Sequence, residues 1–244
     1  MKSIKSKNKK PFLNYLFLYN VFSCFGWIAI FFYTFIQQRK FISNYYGVIS
    51  LLKYVQTFAI LEILHAGLGI TSSSVIITTI QVASRLLLCW GIANAYPDIV
   101  LKSSAFFSMS YAWSITEIVR YSYYANNFKE NTCFLFLFLR YNLFFILYPL
   151  GTLSEMWLIW KLLPYINDTQ RVYSLILKAI LVIYIPGFCV MYSHMIFQRK
   201  KWMKSWKTKK AKVRFCFSIA RVFSAILKQK VVAQKEGADS HALK

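Results

Sequence analysis

The chain has 244 residues, is 57% hydrophobic with 22 Phe and 17 Tyr, and carries 30 Lys and Arg against 8 Asp and Glu. So apolar a composition is too poor in polar surface for a soluble domain of this length and points to one polytopic membrane domain. The basic excess sits at the ends, with five cations in residues 1–10 and fourteen in 199–244, which fits segments flanking a membrane and argues against a nucleic-acid binder with a basic folded face.

Residues 1–11 read as a basic N-terminus. The apolar run from Phe12 to Ile36 is too long for the core of a signal peptide and reads as a retained first span. Further spans are predicted at 48–70, 75–96, 99–124, 133–160 and 172–197, each near the ~20 residues that cross hydrocarbon. Helices are expected because a chain in lipid must satisfy its own backbone groups. Turn chemistry separates the spans: Gln37 to Lys40, Gly69 with Ser72 to Ser74, Tyr96-Pro97-Asp98, Asn126 to Lys129, and Pro164 with Asn167-Asp168. The expected architecture is therefore all-α, with six transmembrane helices in one bundle over residues 12–201. Six spans put both ends on one side, and the basic clusters make that side cytosolic. Residues 202–244 form a basic tail. Within it Phe215, Ile219, Val222, Phe223 and Ile226 follow helical spacing, which reads either as an interfacial helix or as chance periodicity in an unstructured tail. No internal repeat of the kind common in transporters is visible.

Cys24, Cys89, Cys133, Cys189 and Cys216 have no metal-ligand spacing and read as free thiols packed as small hydrophobes. Glu62 and His65 have the spacing of half a di-iron site, but no second Glu-x-x-His exists. No metal is expected. Serine-hydrolase, nucleotide-loop and dinucleotide fingerprints are absent, so no cofactor is expected either.

The functional candidates are ionisable groups inside the spans: Glu62, His65, Arg85, Glu117, Arg120, Arg140 and Glu155. A charge at the centre of a span costs roughly 2.5–3.5 kcal/mol on insertion scales, so such residues pair with one another or serve a function. Glu117 and Arg120 are three apart and can pair locally. Arg85 and Arg140 are candidate partners for the remaining glutamates. Tyr148 and Glu155 are seven apart, about two helical turns, so both project from nearly one face. A phenol and a carboxyl in an apolar site can move protons. Pro149 and Gly151 between them suggest a bend that either opens space for substrate or is an ordinary packing kink.

Several strings together resemble a known family. They are Leu61-Glu62-Ile63-Leu64-His65, Gln81 to Arg85, Trp113-Ser114-Ile115-Thr116-Glu117-Ile118-Val119-Arg120-Tyr121, Leu139-Arg140-Tyr141, Leu147-Tyr148-Pro149-Leu150-Gly151 running to Glu155, and Tyr184-Ile185-Pro186-Gly187 with Met191-Tyr192. The chain resembles the 3-hydroxyacyl-CoA dehydratases of very-long-chain fatty-acid elongation, the Pasticcino or protein-tyrosine-phosphatase-like A family. The resemblance implies a six-span enzyme of the endoplasmic reticulum that acts on acyl-CoA beside other elongation enzymes. It carries the catalytic roles onto Tyr148 and Glu155. Arg85, Glu117, Arg120, Arg140 and Tyr141 are then supporting or substrate-orienting, and membrane lipid surrounds the protein. Ala66 follows His65, so a phosphatase-like cysteine nucleophile is missing there. The competing readings are an inactive membrane scaffold of the same fold and, third, a transporter.

Overall fold

The computed structural model describes residues 9–39, 46–71, 73–127, 134–167 and 170–242, with side chains described from Asn14 as far as Trp206. All regular structure among these residues is helical: α1 (Lys9–Gln38), α2 (Gly47–Phe58), α3 (Ile60–Gly67), α4 (Val75–Leu86), a π-helical turn (Leu87–Ala93), α5 (Pro97–Leu101), α6 (Ser104–Asn127), α7 (Phe134–Asn142), α8 (Phe144–Asn167) and α9 (Arg171–Ala242). The chain divides into two compact units, one through Ser193 and one from His194 onward.

In the first unit α6 is the central element. Its closest neighbours are α1 on one side and α8 on the other. From Ala105 to Asn126 no residue of α6 is exposed. That explains its composition. A helix packed mainly against other helices need not be apolar, so α6 carries Ser110, Ser114 and Glu117 fully buried. The outer helices show the reverse pattern. Phe22, Phe25, Trp157, Trp160, Val182 and Ile185 are all exposed, as lipid-facing side chains would be. The core between them is built from Trp27, Ile30, Leu52, Leu88, Ile92, Phe106, Met109, Leu158, Ile159, Leu162, Ile166 and Leu177.

Four helical stretches are long and apolar enough to cross a membrane: Asn14–Gln38, Gly47–Gly67, Val75–Ala93 and Arg171–Trp206. A fifth candidate is the pair Leu135–Asn142 and Phe144–Ile166, bent by 47°. The 99–124 segment expected as a span folds as α5 and α6 and is not among these candidates, because its buried polar residues lower its hydropathy. The break in the 133–160 segment falls at Leu143, while α8 runs on through Pro149 and Pro164 to Asn167. The Asn167-Asp168-Thr169 sequon lies largely outside the described residues.

The π turn has a visible anchor. The Asn94 N–H donates to the Cys89 carbonyl at 2.9 Å, one residue further back than in an α-helix. The Gly91 carbonyl accepts the Tyr173 hydroxyl of α9 at 2.9 Å. A Cβ at Gly91 would sit 2.8 Å from that hydroxyl, so the close approach requires glycine.

The second unit is helical through Ala242. Within it the His194 and Gln198 side chains are hydrogen-bonded at 2.7 Å, and the Trp202 and Trp206 rings stack with centroids 6.3 Å apart. The side chains of the tail's apolar stripe lie outside the described residues.

Candidate active site

The polar groups of the bundle form two clusters. The first is an ion ladder across α3, α6 and α4. The Arg120 guanidinium donates to both oxygens of Glu62, at 2.8 and 2.7 Å, and through Nε to Glu117 Oε2 at 2.6 Å. The Tyr121 hydroxyl donates to Glu62 Oε1 and accepts from Arg120 at 2.9 Å. Arg85 donates to Glu117 Oε1. Two glutamates and two arginines therefore neutralise one another in charge-assisted bonds, with Glu117 the fully buried member. The local Glu117–Arg120 pair matches the sequence expectation. Arg120 also ties α6 to α3 through Glu62, which three-residue spacing could not reveal.

Beside the ladder, His65 is 4% exposed and its Nε2 pairs with the Tyr15 hydroxyl at 2.9 Å. The Tyr19 ring meets it edge-on with centroids 5.0 Å apart. Glu62 and His65 thus both have partners of their own. Among the described residues no group of three or more His, Cys, Asp or Glu side chains is gathered for a metal.

The second cluster surrounds Glu155 on α8. Its Oε1 accepts the indole N–H of Trp113 on α6 at 2.8 Å, and its Oε2 accepts the hydroxyl of Tyr184 on α9 at 2.9 Å. No cation lies within ion-pair distance of it among the described residues. Arg85 is close enough to act on it electrostatically, but is engaged by Glu117 and stands over the Trp113 ring at 5.1 Å. Glu155 is half-buried as a residue, with both carboxyl oxygens engaged.

Tyr148 lies two turns before Glu155 on α8, so the two side chains project from nearly the same face. Its ring is near-parallel to those of Phe188 and Tyr192 on α9, with centroids 5.3 and 6.1 Å away. Gly151 sits between the two residues. A Cβ there would lie 3.6 Å from Ala112, 3.9 Å from Trp113 and 4.0 Å from Glu155 Oε1, so α8 presses against α6 at this point.

The other expected site residues fall elsewhere. Arg140 on α7 pairs with no glutamate among the described residues. It donates to the Tyr124 hydroxyl at 3.1 Å and stands over the rings of Tyr123 and Tyr124 at 4.7 and 4.8 Å. Its Nη1 is buried without a partner among the described residues. Tyr141 is half-buried on the same helix. Arg85 likewise meets Glu117 and not Glu155. Reading by residue type missed Trp113 and Tyr184 as partners of Glu155. Both stood in the strings that carried the resemblance, but a tryptophan and a tyrosine in an aromatic-rich chain give no signal of their own. A separate groove of about 300 Å³ opens between α1, α6 and α7, lined by Phe17, Cys24, Ser122 and Phe136 among others, and it includes none of the site residues.

The fold and this second cluster define an all-helical membrane protein with a phenol and a carboxyl two turns apart on one helix. Comparison with known proteins places that class. The sequence model of the protein tyrosine phosphatase-like protein family, PTPLA, matches residues 56–205, more than half of the chain. The chain belongs to this family. It is 39% identical over 192 residues to a protein of Schizosaccharomyces pombe named probable very-long-chain (3R)-3-hydroxyacyl-CoA dehydratase, covering 78% of this chain and 92% of that one. It is 35% identical to human very-long-chain (3R)-3-hydroxyacyl-CoA dehydratase 2, over 77% of this chain and 80% of the relative. It is 37% identical to the Arabidopsis thaliana dehydratase PASTICCINO 2, over 77% and 91% respectively. No solved structure matches.

Proposed function

We propose that this protein is a very-long-chain (3R)-3-hydroxyacyl-CoA dehydratase. It removes water from the substrate to give trans-2-enoyl-CoA, the third step of very-long-chain fatty-acid elongation. The observation that carries the reading is the Glu155 carboxyl, held at both oxygens by neutral donors and placed two turns from Tyr148. It lies in a chain that aligns with dehydratases over most of its length.

Elimination needs a base for the C2 proton and an acid for the departing C3 hydroxyl. One proton leaves the substrate and one is returned in the water, so the enzyme gains none. Glu155 and Tyr148 supply the two groups. A carboxyl without a fixed counter-ion can take up and release a proton, as a carboxylate locked between two arginines cannot. The Tyr148 hydroxyl can hydrogen-bond the C3 oxygen or the thioester carbonyl as charge develops there. The ladder residues Arg85, Glu117 and Arg120 support the site without transferring protons. Arg140 and Tyr141 orient the substrate.

In this reading the enzyme domain is residues 12–201, preceded by a basic segment of 1–11 and followed by a basic tail of 202–244. The sixth span is α6. That no residue of α6 from Ala105 to Asn126 is exposed supports this, since a helix largely shielded from lipid crosses without being apolar. Both termini face the cytosol, the CoA moiety stays at the cytosolic mouth and the acyl chain lies among the Phe- and Leu-rich helices. The endoplasmic reticulum is the site of residence, and other elongation enzymes are the partners.

The test is a dehydratase assay on purified protein with long-chain 3-hydroxyacyl-CoA, read as trans-2-enoyl-CoA formed. A well-folded chain with no activity across acyl lengths would favour the scaffold. Protection of tags at both termini from protease in sealed microsomes would overturn the topology.

A further inference from the structure

The two groups assigned to the chemistry both sit on α8, yet neither is oriented by α8 alone. Among the described residues α9 approaches the bundle less closely than α1, α6 and α8 approach one another. Long aromatic side chains make up the distance, and they do so at the catalytic groups. Tyr184, Phe188 and Tyr192 are spaced four apart on α9 and so share one face. They meet α8 in antiparallel order. Tyr184 meets Glu155, Phe188 meets Tyr148, and Tyr192 meets Tyr148 as well as Phe144. The opposite face of α9, with Val182, Ile183 and Val190, is exposed.

At Glu155 the geometry is a two-point clamp. Trp113 can only donate, and it occupies Oε1. Tyr184 occupies Oε2. Two donors on two different helices fix the plane of the carboxyl, which a side chain with three rotatable bonds would otherwise not hold. A hydroxyl, unlike an indole N–H, can accept as well as donate. Tyr184 can therefore keep its bond to Glu155 whether that carboxyl is charged or protonated. Glu117 has no such partner, because the guanidinium groups that hold it have no acceptor.

Building on the dehydratase reading, we propose that Tyr184 is a positioning residue for Glu155, acting together with Trp113 and holding the carboxyl in one orientation through both of its protonation states. The site is then assembled from α6, α8 and α9, and it is complete only when the aromatic face of α9 is seated.

The test is a double-mutant cycle on the purified full-length chain with long-chain 3-hydroxyacyl-CoA. Tyr184→Phe removes one hydroxyl and keeps the ring. It should lower kcat roughly 10- to 100-fold, the range for losing a hydrogen bond to a charged group, with KM changed by no more than about twofold. Tyr184→Phe combined with Glu155→Gln should be no slower than Glu155→Gln alone, since groups acting as a unit are not additive. Val182→Ala, on the exposed face of the same helix, should match the parent. Wild-type kcat in Tyr184→Phe would overturn the clamp, as would a full second loss on the Glu155→Gln background. Were Tyr184→Phe to fold poorly, Trp113→Phe tests the other oxygen, with the same loss in kcat and the same non-additivity expected, and unchanged turnover there overturning the clamp. An inert Glu155→Gln beside a fully active Tyr184→Phe sinks the clamp alone. A fully active Glu155→Gln sinks the dehydratase reading of the site and the clamp with it.

Discussion

Glu117 and Glu155 are both carboxylates inside one helical bundle, and they are treated in opposite ways. Glu117 is 1% exposed and receives two guanidinium groups. Glu155 is half-buried and receives an indole N–H and a phenol. Breaking a buried ion pair costs several kcal/mol, so the first carboxylate is committed to its charge and to its place. Neutral donors hold the second in place without fixing its charge. Within one membrane domain, the choice of partner separates a carboxylate that builds the fold from one that can carry a proton.

That contrast breaks most sharply at the chemistry. Glu155→Gln and Tyr148→Phe keep nearly the same volume, and each should lower kcat by roughly 10²–10⁴-fold, the usual worth of a positioned acid or base. Membrane insertion and folded yield should be unchanged. Near-wild-type turnover in either purified variant would end the distinction. Glu117→Gln should act the other way. It leaves Arg85 without its carboxylate, at a cost of about 3–5 kcal/mol, read as a loss of folded protein or a lower Tm in detergent. The surviving folded fraction should still turn over substrate. A stable Glu117→Gln protein as inert as Glu155→Gln would reverse the two roles.

Arg140→Gln should have a smaller effect. It loses the contacts with Tyr123 and Tyr124, about 0.5–2 kcal/mol, while relieving a buried donor that has no partner among the described residues. A modest rise in KM with kcat retained would fit a substrate-orienting residue. Loss of kcat as large as that of Tyr148→Phe would place Arg140 in the chemistry. The smallest effect is expected from truncation after residue 205, where the family match ends. Turnover in detergent should be unchanged, and loss of activity in a folded truncated protein would give the tail a role in the site.

How much of this was legible beforehand follows from the range of each signal. The Tyr148/Glu155 pair lies on one helix, so its spacing could be read directly. The same holds for Glu117 and Arg120. The Glu62–Arg120 bond spans 58 residues and the Tyr184–Glu155 bond 29. Each depends on which helices become neighbours, and apolar periodicity does not encode that. Arg140 was expected to seek a glutamate because opposite charges attract in lipid, but an aromatic pair supplies a weaker partner without a second charge. The segment containing α6 was expected as a span, yet hydropathy alone would pass it over. Hydropathy measures suitability for lipid, and no residue of α6 from Ala105 to Asn126 is exposed.

The π turn at Leu87–Ala93 bears on how this protein tolerates insertions and deletions. A π turn is an α-helix carrying one surplus residue, and each residue rotates a helix by about 100°. Before the turn Arg85 faces Glu117, and within it Gly91 offers its carbonyl to Tyr173. Removing one residue from 87–93 would leave the flanking segments in phase, because the turn has already absorbed that residue, but adding one ahead of Gly91 would swing everything beyond it by about 100°. Arg85 would keep its ion pair, while Gly91 would turn away from α9. A single-residue insertion here, with no change of polarity or volume elsewhere, would therefore loosen the seat of the helix that supplies Tyr184.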